Sequence, residues 1–265
     1  MNRHKVLYYS DPLNDDFAGT RIQTNHVGKD FCYIHRSFLW KILSLFLYYC
    51  VALPLVWLTA KLYLGLKIEN RGILRDLRHT GYYLYGNHTR ILDAFVPPLV
   101  AFPKRSYFIA GPDAVSIPGI RNLVMLLGAL PIPTELHALD HFIQTVSYRA
   151  EEGHCIAIYP EAHIWPFYTG IRPFAATSFR YPVKDNVPAV AMVTTYRRRS
   201  GLFFWMKKPG MTITLSSPMY PNLTLPIRKA QTELRDKVFQ FMKETAGGRQ
   251  QPEYIRYVYR LKEKA

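Results

Sequence analysis

The longest apolar run lies near the N-terminus: nineteen residues from Ile42 to Ala60 carry no formal charge, and Leu62 to Leu66 extend the run beyond Lys61. As one straight helix the uncharged stretch reaches roughly 28 Å, barely the hydrocarbon thickness of a bilayer. Pro54 falls just past its middle, removes a backbone donor and disfavours helix at Leu53, so the pattern predicts two short arms, about 38–52 and 55–66. Basic residues flank both ends, with Arg36 and Lys41 before the run and Lys61, Lys67, Arg71, Arg75 and Arg78 after it. That symmetry points to an apolar helical hairpin held in one leaflet, with a simple span or a buried soluble hairpin as the alternatives.

Beyond residue 67 short β-type runs alternate with helical periodicity. Strands are predicted at 82–85, 106–110, 129–132, 154–159, 187–196 and 211–216, and helices at about 90–101, 118–128, 136–152 and 225–246. This order predicts an α/β fold with a mixed central sheet flanked by helices. The chain then divides into a polar segment 1–36, a membrane-associated hairpin or span 37–66, a main domain 67–248, and a basic, aromatic tail 249–265 that reads as a surface strap.

Hydrophobic residues make up 49% of the 265 and charged residues 20%, ample for a core and too polar for a multi-span transporter. Lys plus Arg number 34 against 19 Asp plus Glu, a net charge of +15 that attracts phosphates, nucleic acid or anionic headgroups. No helix-turn-helix, zinc-finger or RNA-stacking signature is visible, and nucleic-acid binding leaves the apolar run unexplained, so no nucleic-acid partner is expected. Cys32, Cys50 and Cys155 are widely spaced without a C-x-x-C pair, which predicts free thiols and no metal site. Cys155, inside an apolar strand, reads as a core filler.

Two segments carry candidate chemistry. Gly86-Asn87-His88-Thr89-Arg90-Ile91-Leu92-Asp93 follows the strand at 82–85, so His88 falls at a strand's carboxyl end, where α/β sheets hold ligands. A histidine titrates near neutrality, and a carboxylate on one ring nitrogen fixes its tautomer. On an ideal helix His88 and Asp93 would lie about 140° apart, so they meet only if His88 sits in the turn ahead of the helix. Gly86 and Asn87 favour such a turn, with Thr89 or Asn87 as the cap. The second segment is Pro160-Glu161-Ala162-His163, at the end of the strand at 154–159.

Asn-His-x4-Asp followed about seventy residues later by aromatic-Pro-Glu resembles the glycerolipid acyltransferases, above all the 1-acylglycerol-3-phosphate acyltransferases. Asn87, His88 and Asp93 match the first block; Tyr159, Pro160 and Glu161 match the third, in which Ala162 and His163 replace the usual glycine and threonine. Thr134 stands where an arginine is usual, and Val187 to Val193 matches a Val-Pro strand, so the likeness extends over residues 67–220.

The resemblance implies the glycerolipid acyltransferase fold and an O-acyltransferase in which His88 is general base on an acceptor hydroxyl and Asp93 orients it. The donor would be acyl-CoA or acyl carrier protein, and the acceptor the lysophospholipid 1-acylglycerol 3-phosphate, giving phosphatidic acid. Another lysophospholipid or glycerol 3-phosphate as acceptor, or a non-catalytic lipid-binding relative, are the alternatives. It implies further that Glu161 contacts the acceptor's glycerol and that Asn87 supports the site. Arg90, Arg121 and Arg172 are candidate phosphate ligands, and His163 a candidate headgroup donor. No cofactor is implied. Phe203, Phe204 and Trp205, in the basic loop 197–209, are candidate contacts with an anionic membrane, at the cytoplasmic face of the cell membrane.

Overall fold

The computed structural model describes residues 5–19, 23–201 and 204–261. Its strands are β1 (Lys5–Tyr9), β2 (Lys67–Glu69), β3 (Tyr82–Gly86), β4 (Ser106–Ala110), β5 (Ala129–Pro131), β6 (Cys155–Ile158), β7 (Ala189–Arg197), β8 (Gly210–Leu215) and β9 (Ile255–Tyr259). Seven of them form one sheet in the order β2-β8-β7-β3-β6-β4-β5. β5, β4, β6, β3 and β7 run parallel, β8 is antiparallel to β7, and β2 is parallel to β8. The expected mixed sheet is present, and its five parallel strands open their carboxyl ends at one edge.

The helices are α1 (Phe38–Leu64), α2 (Val96–Ala101), α3 (Arg121–Leu126), α4 (Leu139–Glu151), α5 (Arg180–Asp185) and α6 (Ile227–Gly247). β3 is buried on both faces, so its residues read as a continuous run rather than an alternation. Tyr82 and Leu84 pack with Val96, Leu99, Ala60 and Leu64 of α1 and α2. Tyr83 and Tyr85 face the other layer, where Phe142 and Val146 of α4 and Leu234 and Val238 of α6 close the core.

The expected break at Pro54 is absent: α1 is one helix of 27 residues, about 40 Å long. Ser44, Tyr48, Ala52, Val56, Ala60 and Leu64 recur every fourth residue on its inner, buried or half-buried face. On an uninterrupted α-helix that row would drift about 40° per step. Two π-helical stretches, Leu47–Ala52 and Ala60–Leu64, take more residues per turn and swing the row back. Pro54 then occupies the first turn after a π stretch, where its missing N–H interrupts least.

α1 lies along the domain rather than projecting from it. Ser44 Oγ donates to Leu126 O at 2.6 Å, Tyr48 Oη accepts from Ser106 N–H at 2.9 Å, and Ala60 and Leu64 join the core. The outer face stays apolar and exposed, with Phe38, Leu39, Phe46, Leu55 and Trp57 prominent.

The N-terminal segment is not merely polar. Val27, Phe31 and Tyr33 are core residues, and β1 pairs in parallel with β9, so chain start and tail form one two-stranded strap.

Candidate active site

His88 and Asp93 sit at the open edge of the sheet, just beyond β3. The chain leaves the strand in a turn, and Asp93 follows in a 3₁₀ turn, Ile91–Phe95, capped by Arg90 rather than by Thr89 or Asn87. This brings His88 Nδ1 to 3.3 Å from Asp93 Oδ2. The same oxygen accepts the N–H groups of Thr89, at 2.6 Å, and Arg90, at 2.8 Å. Asp93 is therefore fixed by backbone donors, with its side chain only 2% exposed against 15% for His88. Tyr159 stacks on the imidazole with centroids 4.6 Å apart and donates to Asp93 O at 2.5 Å. Burial, then the Asp93 charge, pushes the Tyr159 phenol well above its ordinary value, so it remains a donor. Gly86 makes room for that ring: a Cβ there would stand 2.7 Å from Tyr159 Cε1.

Asn87 clamps the turn to the neighbouring strand. Its Nδ2 donates to Thr194 O at 3.0 Å and its Oδ1 accepts Thr194 N–H at 2.7 Å, so both polar ends are occupied within the protein. Glu161 and Arg172 also correct the sequence reading. Glu161 is buried and accepts His88 N–H at 3.1 Å, Arg172 N–H at 2.9 Å and Arg172 Nη2 at 3.3 Å. Arg172 is buried against Glu161, donates to His163 O and to Pro12 O, and lies over the Trp165 ring. These two residues expected at a headgroup are instead a buried brace between the two motifs. Burial raises the Glu161 carboxyl and lowers the Arg172 guanidinium, each opposed by the partner's charge.

His163 lends its carbonyl to this brace, and its ring is half-buried. Ala162, where a glycine is usual in the resembling family, holds a left-handed φ of 62°. Arg121 lies at the same edge of the sheet but is exposed, over Phe31 at 4.9 Å. Arg90 is different. It is 8% exposed, its guanidinium carbon lies 4.8 Å from the Phe167 ring, and Nη1 has no hydrogen-bond partner among the described residues.

Trp165 and Phe167 did not stand out in the sequence. Their backbone N–H groups bond His88 O and Thr89 O, at 3.2 and 3.0 Å, fastening the loop after β6 to the histidine turn. Trp165 Nε1 donates to Asp15 O and its ring stacks on Tyr257 of β9. Cys155 is fully buried and desolvation pushes its thiol up to about 12, which leaves it inert as a nucleophile. Among the described residues no three His, Cys, Asp or Glu side chains gather as a metal would need.

The arrangement can fix one imidazole tautomer and leave Nε2 as the basic nitrogen at an open edge. Residues 70–213, just over half the chain, match the family described as Acyltransferase. The crystal structure of the 1-acyl-sn-glycerophosphate (LPA) acyltransferase PlsC from Thermotoga maritima is similar in fold. The two share 16% identity at a TM-score of 0.51, over 82% of this chain and 98% of that one. No curated protein matches the chain.

Proposed function

Because this chain belongs to the acyltransferase family, we propose that it transfers a fatty acyl group from acyl-CoA or acyl carrier protein to the free hydroxyl of 1-acylglycerol 3-phosphate, giving phosphatidic acid. The observation that carries this reading is the 3.3 Å contact of His88 Nδ1 with Asp93 Oδ2 at the sheet's open edge. With Nδ1–H turned to the carboxylate, Nε2 takes the hydroxyl proton as the acceptor oxygen attacks the thioester carbonyl. The new C–O bond forms, the tetrahedral intermediate collapses with cleavage of C–S, and the imidazolium returns its proton to the leaving thiolate. No acyl-enzyme is required. Mass spectrometry of products from the purified protein, offered a panel of lysolipids and both donor types, tests the reading. Phosphatidate formed from 1-acylglycerol 3-phosphate is expected; no acylated product from any acceptor overturns it.

A cavity of about 200 Å³ supports the acyl-chain side of this reading. Leu55, Val56 and Ala60 of α1 face Leu92, Phe95 and Val96 across it, and Leu92 adjoins Asp93 in the chain. Each methylene buried there contributes about 0.8 kcal/mol. Val96→Trp fills the groove, so turnover with a donor of about sixteen carbons should fall about tenfold relative to one of about eight. Equal loss with both donors would remove the groove from acyl binding.

The membrane side follows from α1. A helix bonded along its inner face to the domain, with an apolar outer face, suits the interface plane of one leaflet. At its C-terminal end Phe204, 74% exposed, and Trp205, 68% exposed, extend the apolar surface; Phe203 lies outside the described residues. Thioester donors are cytoplasmic, which makes that leaflet the cytoplasmic one. Phe204→Ser combined with Trp205→Ser should weaken sedimentation with phosphatidylglycerol vesicles by about tenfold. Undiminished binding would remove the loop from the membrane contact.

A further inference from the structure

Four cations crowd the C-terminal end of α1, beside the histidine turn. Lys208 Nζ donates to Tyr63 Oη at 2.7 Å and lies 5.2 Å from the ring centroid, while the Arg90 guanidinium carbon lies 5.7 Å from the same centroid. Arg199 donates through Nη2 to Tyr63 O and through Nε to Lys208 O at 2.8 Å. Arg197 donates through Nη2 to Gly65 O. Every one of these acceptors is a neutral carbonyl or phenol, which satisfies a donor without neutralising its charge.

Of the neighbouring carboxylates, Glu69 favours the charge of Arg197 and is already paired with Arg249, while Asp93 is engaged by His88 Nδ1 and by the backbone N–H groups of Thr89 and Arg90. Leu202 and Phe203, in the same loop and outside the described residues, carry no charge and cannot supply one. Burial first, then the like charges of Arg197 and Arg90, holds the Arg199 guanidinium below its ordinary value. Two further donors are idle: Nη1 of Arg90, a side chain more than nine-tenths buried, and Nε of Arg197 are enclosed without a hydrogen-bond partner among the described residues. Uncompensated like charges with idle donors are unfavourable unless an anion completes them.

We propose that Arg90, Arg199 and Lys208, gathered on Tyr63, form the binding site for the phosphate monoester of the acceptor. The proposal rests on the acyl-transfer reading for the word acceptor, while the phosphate site stands on the cluster alone. Arg90 follows His88 by two residues, and β7, which carries Arg197 at its end, adjoins β3. A glycerol phosphate held by the cluster therefore stays at the edge where its hydroxyl must meet the imidazole. Arginine forks suit the planar faces of a phosphate, and Lys208 adds a point charge.

The test uses the purified full chain in lipid nanodiscs, with Arg199→Ala, Lys208→Ala and Arg90→Met. Each variant should raise KM for 1-acylglycerol 3-phosphate by about tenfold, the loss of one charge-assisted hydrogen bond. For Arg199→Ala and Lys208→Ala, KM for the thioester donor and turnover of an uncharged monoacylglycerol should stay within about twofold. Calorimetric binding of glycerol 3-phosphate should weaken by a similar factor, with circular dichroism reporting the fold. An unchanged acceptor KM, a rise in donor KM instead, or weaker binding only to phosphatidylglycerol vesicles each overturns the proposal. If wild type binds glycerol 3-phosphate through the cluster yet acylates no acceptor, the acyl-transfer reading falls and the phosphate site stands. If it acylates lysolipids while the variants bind glycerol 3-phosphate as wild type does, the site falls and the reading stands.

Discussion

His88→Ala should lower kcat for acyl transfer by about a thousandfold while leaving the thermal midpoint nearly unchanged. The size follows from the loss of a positioned general base, ordinarily worth about two to four orders of magnitude. The small stability cost follows from geometry: what holds His88 in the fold is mostly its backbone, whose N–H is bound by Glu161 and whose carbonyl accepts from Trp165. Those bonds survive truncation of the ring. Asp93→Asn should be slower than wild type by a comparable factor, for a different reason. An amide there can present its NH₂ to Nδ1 and favour the other tautomer, with the proton on Nε2. It also weakens the anchor for the Thr89 and Arg90 N–H groups, so unlike His88→Ala it should lower the midpoint as well. Thioester cleavage followed by thiol release, alongside a melting curve, separates the two. Acyl transfer by His88→Ala within tenfold of wild type would end the general-base assignment.

β3, β6 and β8 were legible because they are wholly buried, so 82–85, 154–159 and 211–216 read as short apolar runs. β2 offered three residues, Lys67-Ile68-Glu69, too few and too polar to announce a strand. β1 and β9 pair with each other from opposite ends of the chain, a contact no local pattern encodes. Pro54 misled for a physical reason: proline marks a lost donor, and nothing in sequence shows that a π stretch just before it will absorb the irregularity. In the site, Gly86-Asn87 ahead of His88 signalled the turn that lets His88 reach Asp93. The partners of Glu161 did not follow from sequence, because Arg172 reaches it only after the loop from Ala162 has folded back through its left-handed residue. Arg90 drew attention as one arginine among three, whereas its burial beside Phe167 and Tyr63 sets it apart from the exposed Arg121.

Arg172→Met should destabilise the fold by about 3–5 kcal/mol near neutral pH, the usual cost of leaving one partner of a buried ion pair alone. For a domain of this size each kcal/mol moves the midpoint by about 2–4 °C, so a drop of roughly 10 °C is expected. The carboxylate left behind keeps two backbone donors, from His88 and from residue 172 itself, but no opposite charge. In the wild type burial already raises the Glu161 carboxyl, against the lowering exerted by Arg172 and those N–H groups. Removing the guanidinium takes away the largest opposing influence, so the folded-state pKa rises further above the unfolded value of 4.5. A carboxyl raised on folding stabilises the native state below its unfolded pKa and loses that contribution as pH rises through the folded pKa. The deficit of Arg172→Met should therefore shrink on going from about pH 8 to pH 5.5, as Glu161 takes up a proton and its buried charge disappears. Glu161→Gln should show no such shrinkage, because its cost lies in an unpaired guanidinium that stays charged throughout that range. Replacing both, with Glu161→Gln and Arg172→Met together, should cost less than the sum of the single changes, since no lone charge remains. Denaturant titrations of the three variants at the two pH values measure all of this. A pH-independent deficit for Arg172→Met, or strict additivity in the double variant, would show that the brace is held by its backbone bonds and not by the ion pair.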